Sequence, residues 1–126
     1  MNEKTIKIKI IDMKYEEEDH IFIMNILDIE KNEVYWTDTT RDIYEVDKDY
    51  EQDIQTAMLY FPGESGKRLR EAYQLAVDEG KDYDLELDFI AEKGNKKKVR
   101  DIGKVKFKDG KPCRVYGVFQ DITDAQ

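Results

Sequence analysis

The sequence predicts an α+β domain in which helices pack on one face of a five-stranded antiparallel sheet. Three observations carry this prediction. Tyr83, Leu85, Leu87 and Phe89 alternate with Asp84, Glu86 and Asp88, the pattern of a strand buried on one side. Earlier in the chain the period becomes helical, with Tyr50, Ile54, Ala57, Met58 and Phe61 forming one apolar stripe. Turn signals at Glu92-Lys93-Gly94-Asn95 and Lys108-Asp109-Gly110-Lys111 then cut the last third into a three-strand meander. With 126 residues and 14.9 kDa, one domain with one core is expected.

From the N-terminus, Thr5 to Ile10 places Ile6, Ile8 and Ile10 on one side of a flanking strand. The acidic run Glu16-Glu17-Glu18-Asp19 reads as a solvated link, so residues 1–20 form an extension and residues 21–126 the domain. His20 to Ile29, rich in Ile, Phe and Met, supplies the first strand. A turn at Glu30 to Glu33 follows, with Asn32 best able to take positive φ, and Val34-Tyr35-Trp36 completes a hairpin. Asp38 or Thr39 is expected to cap a short helix, Thr39 and Asp42 making a capping box, with Ile43 and Tyr44 inward. The Tyr50–Phe61 helix stops at Pro62-Gly63. A third helix starts near Glu64 or Ser65, buries Leu69, Ala72, Tyr73, Ala76 and Val77, and ends at Gly80 in the left-handed region. Tyr83 to Phe89, Lys98 to Phe107 and Cys113 to Ile122 are the closing strands, which gives the order β-β-α-α-α-β-β-β.

Composition restricts the partners. Asp and Glu number 29 against 21 Lys and Arg, a net charge of −8 and a pI near 4.7. Such a chain repels phosphate backbones and anionic membrane surfaces, which disfavours nucleic-acid binding and direct membrane contact. Its apolar stretches fall far short of the roughly 20 residues that span a bilayer, and the N-terminus alternates Lys and Ile where a targeting signal needs a continuous apolar run. One cysteine, Cys113, allows no internal disulfide. A cytoplasmic domain is the expectation.

Three segments occur together in order: the hairpin Leu27-Asp28-Ile29 through Glu33-Val34-Tyr35-Trp36-Thr37-Asp38, then Phe61-Pro62 before a helix ending at Gly80, then Asp109-Gly110-Lys111-Pro112 leading into Val115-Tyr116-Gly117-Val118-Phe119-Gln120-Asp121-Ile122-Thr123. From about residue 21 to 123 this resembles a PAS domain with its C-terminal PAC portion, of the bacterial signalling type found in sensor histidine kinases and cyclic-di-GMP enzymes such as diguanylate cyclases. Two positions depart from the family. Its His-Pro-Asp-Asp reads Phe61-Pro62-Gly63-Glu64 here, with about one extra residue, and Lys98 takes the place of the Trp frequent in the fourth strand.

The resemblance implies a non-enzymatic sensor for signal transduction, including two-component systems, that relays the binding of a small molecule or partner through its last strand. It places Asp121-Ile122-Thr123 where that strand leaves for an output helix, which makes Asp121 and Thr123 the relay. A homodimer is expected, with an effector domain or partner protein beyond the C-terminus; the chain ends at Gln126, compatible with a sensor separated from its effector or with a stand-alone module. Family members that bind coloured cofactors make demands this chain does not meet. It has no Asn-Cys-Arg-Phe-Leu-Gln stretch for flavin, no His from Glu64 to Glu79 for haem, and no helical Cys for a thiol-linked chromophore. No cofactor is therefore predicted, while a small metabolite stays open in a space of roughly a few hundred Å³ between sheet and helices.

Periodicity points Trp36, Tyr44, Met58, Tyr73, Phe89 and Phe119 into that space, either as core filling or as a pocket lining. Asn25 is the amide of the first apolar strand. Arg100 would anchor a carboxylate ligand by a bidentate pair. Catalytic equipment is sparse: Gly63-Glu64-Ser65-Gly66-Lys67-Arg68 lacks the spacing of a phosphate loop, and His20 and Cys113 alone supply neither a metal site nor a nucleophile–base pair. A small enzyme using Asp84 with Glu86, or Asp101 with Asp121, is the remote alternative. A ligand-free dimerisation module is the nearer one, because Tyr116 and Val118 alternate with Val115, Gly117 and Phe119 and leave both faces of the last strand apolar. The Ile6, Ile8 and Ile10 strand would cover the outer face.

Overall fold

A computed structural model describes residues 15–16, 21–22, 24–51 and 53–125. The Thr5–Ile10 strand, the link from Glu17 to Asp19 and His20 lie outside the described residues. Strands β1 (Tyr15–Glu16) and β2 (Ile21–Phe22) pair antiparallel as a ladder of their own, with β2 lying against the last strand. Glu16, expected in the link, is thus in a strand, and Ile21–Phe22, expected in the first sheet strand, belongs to the small ladder.

The main sheet contains β3 (Asn25–Asp28), β4 (Glu33–Trp36), β5 (Tyr83–Ile90), β6 (Lys96–Lys108) and β7 (Lys111–Asp121). Its order is β4-β3-β7-β6-β5 and every pairing is antiparallel. Strand β3 ends where Asp28 turns its carboxylate to the Lys31 amide at 3.0 Å, and Asn32 takes φ 54 as expected of it. Asp109 and Gly110, at φ 52 and 80, give the two-residue connection whose handedness matches the twist of β6 and β7.

Helices α1 (Asp38–Tyr44), α2 (Ile54–Met58) and α3 (Gly63–Glu79) supply the second layer. Thr37, not Asp38 or Thr39, caps α1, because the extended residue that follows β4 carries the hydroxyl that accepts from the Thr40 amide at 3.3 Å. The Thr39–Asp42 box does not form. The helix expected from Tyr50 to Phe61 is cut to five residues, since Asp53 accepts from both the amide and the hydroxyl of Thr56 and fixes a late start. Tyr50 and Phe61 nonetheless keep the stripe's packing: Tyr50 stacks on Trp36 at 6.4 Å and Phe61 meets Phe89 edge-on at 5.1 Å. Helix α3 ends at Gly80, φ 72, where the Phe107 ring occupies the space a side chain would need.

One core joins the layers. Tyr44 is its hub, stacked on Trp36 at 4.2 Å and edge-on to Phe89 and Tyr60, each at 4.8 Å. On the opposite face of the sheet, Ile26, Tyr35 and Tyr116 form a buried cross-strand row.

Candidate functional site

Strand register decides what faces the helices. On β6 the inward positions are Val99, Asp101, Gly103 and Val105, while Arg100, Ile102, Lys104 and Lys106 point the other way. One cross-strand row runs Trp36, Asn25, Gly117, Gly103, Tyr83, so two glycines meet in the middle of the inner face and contribute no side chain to it. Beside this row lies a cavity of about 60 Å³ between sheet and helices. Its polar and aromatic lining comprises Asn25, Trp36, Tyr44, Phe61, Tyr73, Tyr83 and Asp101, and apolar side chains including Leu27, Ile54, Met58 and Leu69 make up the rest. The volume leaves room for a few waters or for a fragment of a few non-hydrogen atoms.

Asp101 is the unusual member. It is 9% exposed, and among the described residues no side chain donates a hydrogen bond to its carboxyl or to the Asn25 amide. Burial pushes its pKa up to about 7. Burial likewise raises the Tyr44 and Tyr83 hydroxyls far above their usual range, the Asp101 charge adding to the effect, and pushes Tyr73 up to about 12.

The side chains singled out from sequence separate. Trp36, Tyr44, Met58 and Tyr73 line the cavity. Phe89 and Phe119, ring centroids 5.6 Å apart, lie in the aromatic core with Phe61 and do not line it. Arg100 is on the outer face, where it makes a bidentate pair with Asp84 at 2.9 and 2.6 Å, so it is no anchor for a cavity ligand. Of the carboxylate pairs, Asp84 is committed to Arg100 and Glu86 is exposed on the solvent side; Asp101 and Asp121 have unlike surroundings. The inward position of Asp101, and Tyr83 as a lining residue, went unrecognised in sequence.

Helix α2 is a thin wall. Ile54, Met58, Phe61 and Tyr73 line both the cavity and an outer groove of about 510 Å³ completed by Gln55, Leu59, Arg70 and Gln74. Leu59, 81% exposed, stands at that groove's rim. Asp53→Ala removes the cap and should cost about 1 kcal/mol. Amide exchange at residues 54–58 should accelerate while the β6–β7 ladder is unchanged; equal acceleration in both would refute a local wall.

At the far end of β7 the chain is pinned. The Thr123 amide and hydroxyl donate to Asp121 at 3.0 and 2.5 Å, and the Thr123 hydroxyl accepts from the Lys98 amide at 3.1 Å. Lys97 reaches from the sheet to the Ile43 carbonyl at 2.8 Å, to Glu45 at 3.4 Å and to Asp121 at 3.9 Å. Burial works to raise the Asp121 carboxyl, but the Thr123 hydrogen bonds and the Lys97 charge win and hold it below its ordinary value. The end of α1 and the end of β7 therefore share one cation.

A sheet whose last strand lies between the first and the fourth, with helices over a small cavity on one face, is the PAS fold. No family model and no curated protein matches the sequence. Solved structures do match. The N-terminal domain of a diguanylate cyclase with PAS/PAC sensor from Marinobacter aquaeolei superposes with a TM-score of 0.73 at 13% identity, over 82% of this chain and 96% of that one. A sensory box histidine kinase/response regulator from Burkholderia thailandensis gives 0.67 at 16% identity, over 82% and 78%. The PAS domain of a protein from Colwellia psychrerythraea gives 0.59 at 12% identity, over 81% and 85%. Among the described residues no helix is long and apolar enough to cross a membrane.

Proposed function

We propose that the chain is a non-enzymatic sensory module, residues 21–126 with residues 1–20 as its extension, that binds a small molecule in the helix–sheet cavity. On this reading it acts in the cytoplasm as a homodimer and relays occupancy to an effector domain or partner beyond its C-terminus, in a signalling chain of the histidine kinase or diguanylate cyclase kind. The observation that carries the reading is the carboxyl of Asp101 in a cavity whose other lining residues, Asn25 apart, are apolar or aromatic. A carboxyl held 9% exposed in such a lining, its oxygens not fully enclosed and without a side-chain donor among the described residues, loses most of its hydration, so core filling alone gives no reason for it. A ligand that favours one packing of α1 and α2 on the sheet would bias the Lys97 contacts that α1 and Asp121 share, and would do so only by its differential affinity for the two packings.

Native mass spectrometry of the purified protein tests this reading. The expected result is an intact mass exceeding the denatured mass by that of a small molecule. The cavity's modest size favours a second reading, a ligand-free dimerisation module; a bare dimer would select it. For the relay, Asp121→Ala should raise hydrogen exchange at Ile122 to Asp124 several-fold and leave the sheet protected. Unchanged exchange there would remove Asp121 from the relay.

A further inference from the structure

The cavity has a definite chemical character. Five aromatic side chains, Trp36, Tyr44, Phe61, Tyr73 and Tyr83, line it together with one carboxyl, that of Asp101, and one amide, that of Asn25. They come from β3, β4, α1, the turn between α2 and α3, α3, β5 and β6. Rings concentrate negative potential on their faces and attract cations, most strongly when water is excluded. A carboxylate adds a full charge, and the amide oxygen adds an acceptor. Among the described residues none of the cavity's lining side chains is a Lys, Arg or His, so nothing there competes for Asp101. Arg100, the neighbouring cation in sequence, is on the other face of the sheet and bound to Asp84.

Other ligand chemistries fit less well. A carboxylate or phosphate would face Asp101 with no cation to receive it. A neutral apolar molecule would leave the buried carboxyl without a partner. We propose that the cavity recognises a small organic cation, an ammonium or methylated ammonium group, held between the Asp101 carboxylate and the surrounding aromatic rings. This rests on the reading of the cavity as a ligand site and names the ligand's class. About 60 Å³ limits the part enclosed to a few non-hydrogen atoms. Any longer tail would pass α2 into the outer groove, whose walls share Met58 and Tyr73 with the cavity.

The test uses methylammonium and trimethylammonium chlorides as probes, with tert-butanol as a neutral probe and sodium chloride matching ionic strength. Binding is followed at pH 8 by thermal shift and by NMR shifts of the cavity residues, in the full chain and in Asp101→Asn. The expected result is saturable binding of at least one ammonium probe that weakens about tenfold or more in Asp101→Asn. Tight pairing with a group that is protonated in part near neutrality should also release a proton, read calorimetrically in two buffers of different ionisation enthalpy. That readout needs no variant and decides the matter if Asp101→Asn fails to fold. Equal ammonium affinity in both proteins, or binding without proton release at pH 7, overturns the inference. Binding of tert-butanol but not of the ammonium probes overturns the cation while keeping the ligand cavity. If none of the probes binds and xenon does not enter, the cavity reading falls with it.

Discussion

Gly117→Ala should destabilise the domain by about 3 kcal/mol or more, at the upper end of what overpacking costs. The position is central to the sheet, paired with Asn25 on one side and Gly103 on the other. A methyl group there would overlap the carbonyl oxygen of Ile102 and lie 2.8 Å from its carbonyl carbon. Those are backbone atoms of the neighbouring strand and cannot rotate away, so β6 and β7 would have to separate. Gly103→Ala is the matched control. Its methyl would meet the ring of Tyr83, a side chain that can move, and the expected loss is smaller, about 1–2 kcal/mol. Urea titrations of both variants at constant m-value compare the two directly. A loss at Gly117 no greater than that at Gly103 would show that the ladder accommodates the methyl.

Asp101→Asn should make the protein more stable above neutral pH. Burial raises the carboxyl's folded-state pKa to about 7, above that of the unfolded chain. The folded protein therefore holds a proton that the unfolded chain releases from about pH 4 upward. The stability carried by that proton is complete below the unfolded value, declines by about 1.4 kcal/mol per pH unit, and is gone once pH has risen through 7. Asparagine resembles the protonated form at every pH. The difference in unfolding free energy between variant and wild type should grow from pH 4 to 7, reach on the order of 4 kcal/mol, and then stay level. The groups facing Asp101 do not titrate in this window: Tyr44 from α1, Tyr73 from α3 and Tyr83 from β5 are all raised, and Asn25 from β3 is neutral. Chemical denaturation of both proteins across pH 4 to 8 reads the difference directly; a flat difference would place Asp101 in contact with water. A residue that lowers stability at neutral pH is what a binding function retained against packing would leave behind.

Much of the architecture was legible because it rests on period and turn chemistry. The alternation from Tyr83 to Phe89, the left-handed Asn32 and Gly80, and the Asp109-Gly110 turn each follow from one local cause, and together they gave the strand and helix order. Helix starts were less legible. A hydroxyl at Thr37 and a carboxylate at Asp53 outcompeted neighbours of equal capping ability, and the choice depended on where the preceding backbone became extended. The site was legible in part: Asn25, Trp36, Tyr44, Met58 and Tyr73 line it, whereas Tyr83 and Asp101 went unmarked and Phe89 and Phe119 lie outside it. Arg100 and Asp101 are adjacent in sequence, and parity alone distinguishes them. Val99 and Val105 share the parity of Asp101, whereas Arg100 shares that of Lys104 and Lys106, so the apolar pair marked the inward set. The polar charge on both residues masked a signal that their neighbours carried. The size of the cavity had no local signature, because it depends on how side chains and two glycines from separate strands and helices meet.

The five-residue helix α2 bears on time as well as on space. An isolated helix of that length has no stability of its own, and this one is held by the Asp53 cap and its few inward side chains. The sheet beneath the cavity, by contrast, is tied together by antiparallel ladders through all five strands. Local opening of such a segment runs far faster than global unfolding. A ligand's residence time would then be governed by the melting of one and a half helical turns, and its affinity by the rigid floor. Weakening the cap should shorten the dwell of a bound molecule while changing its equilibrium occupancy little, so that a receptor of this design could be tuned for speed of response without retuning its sensitivity.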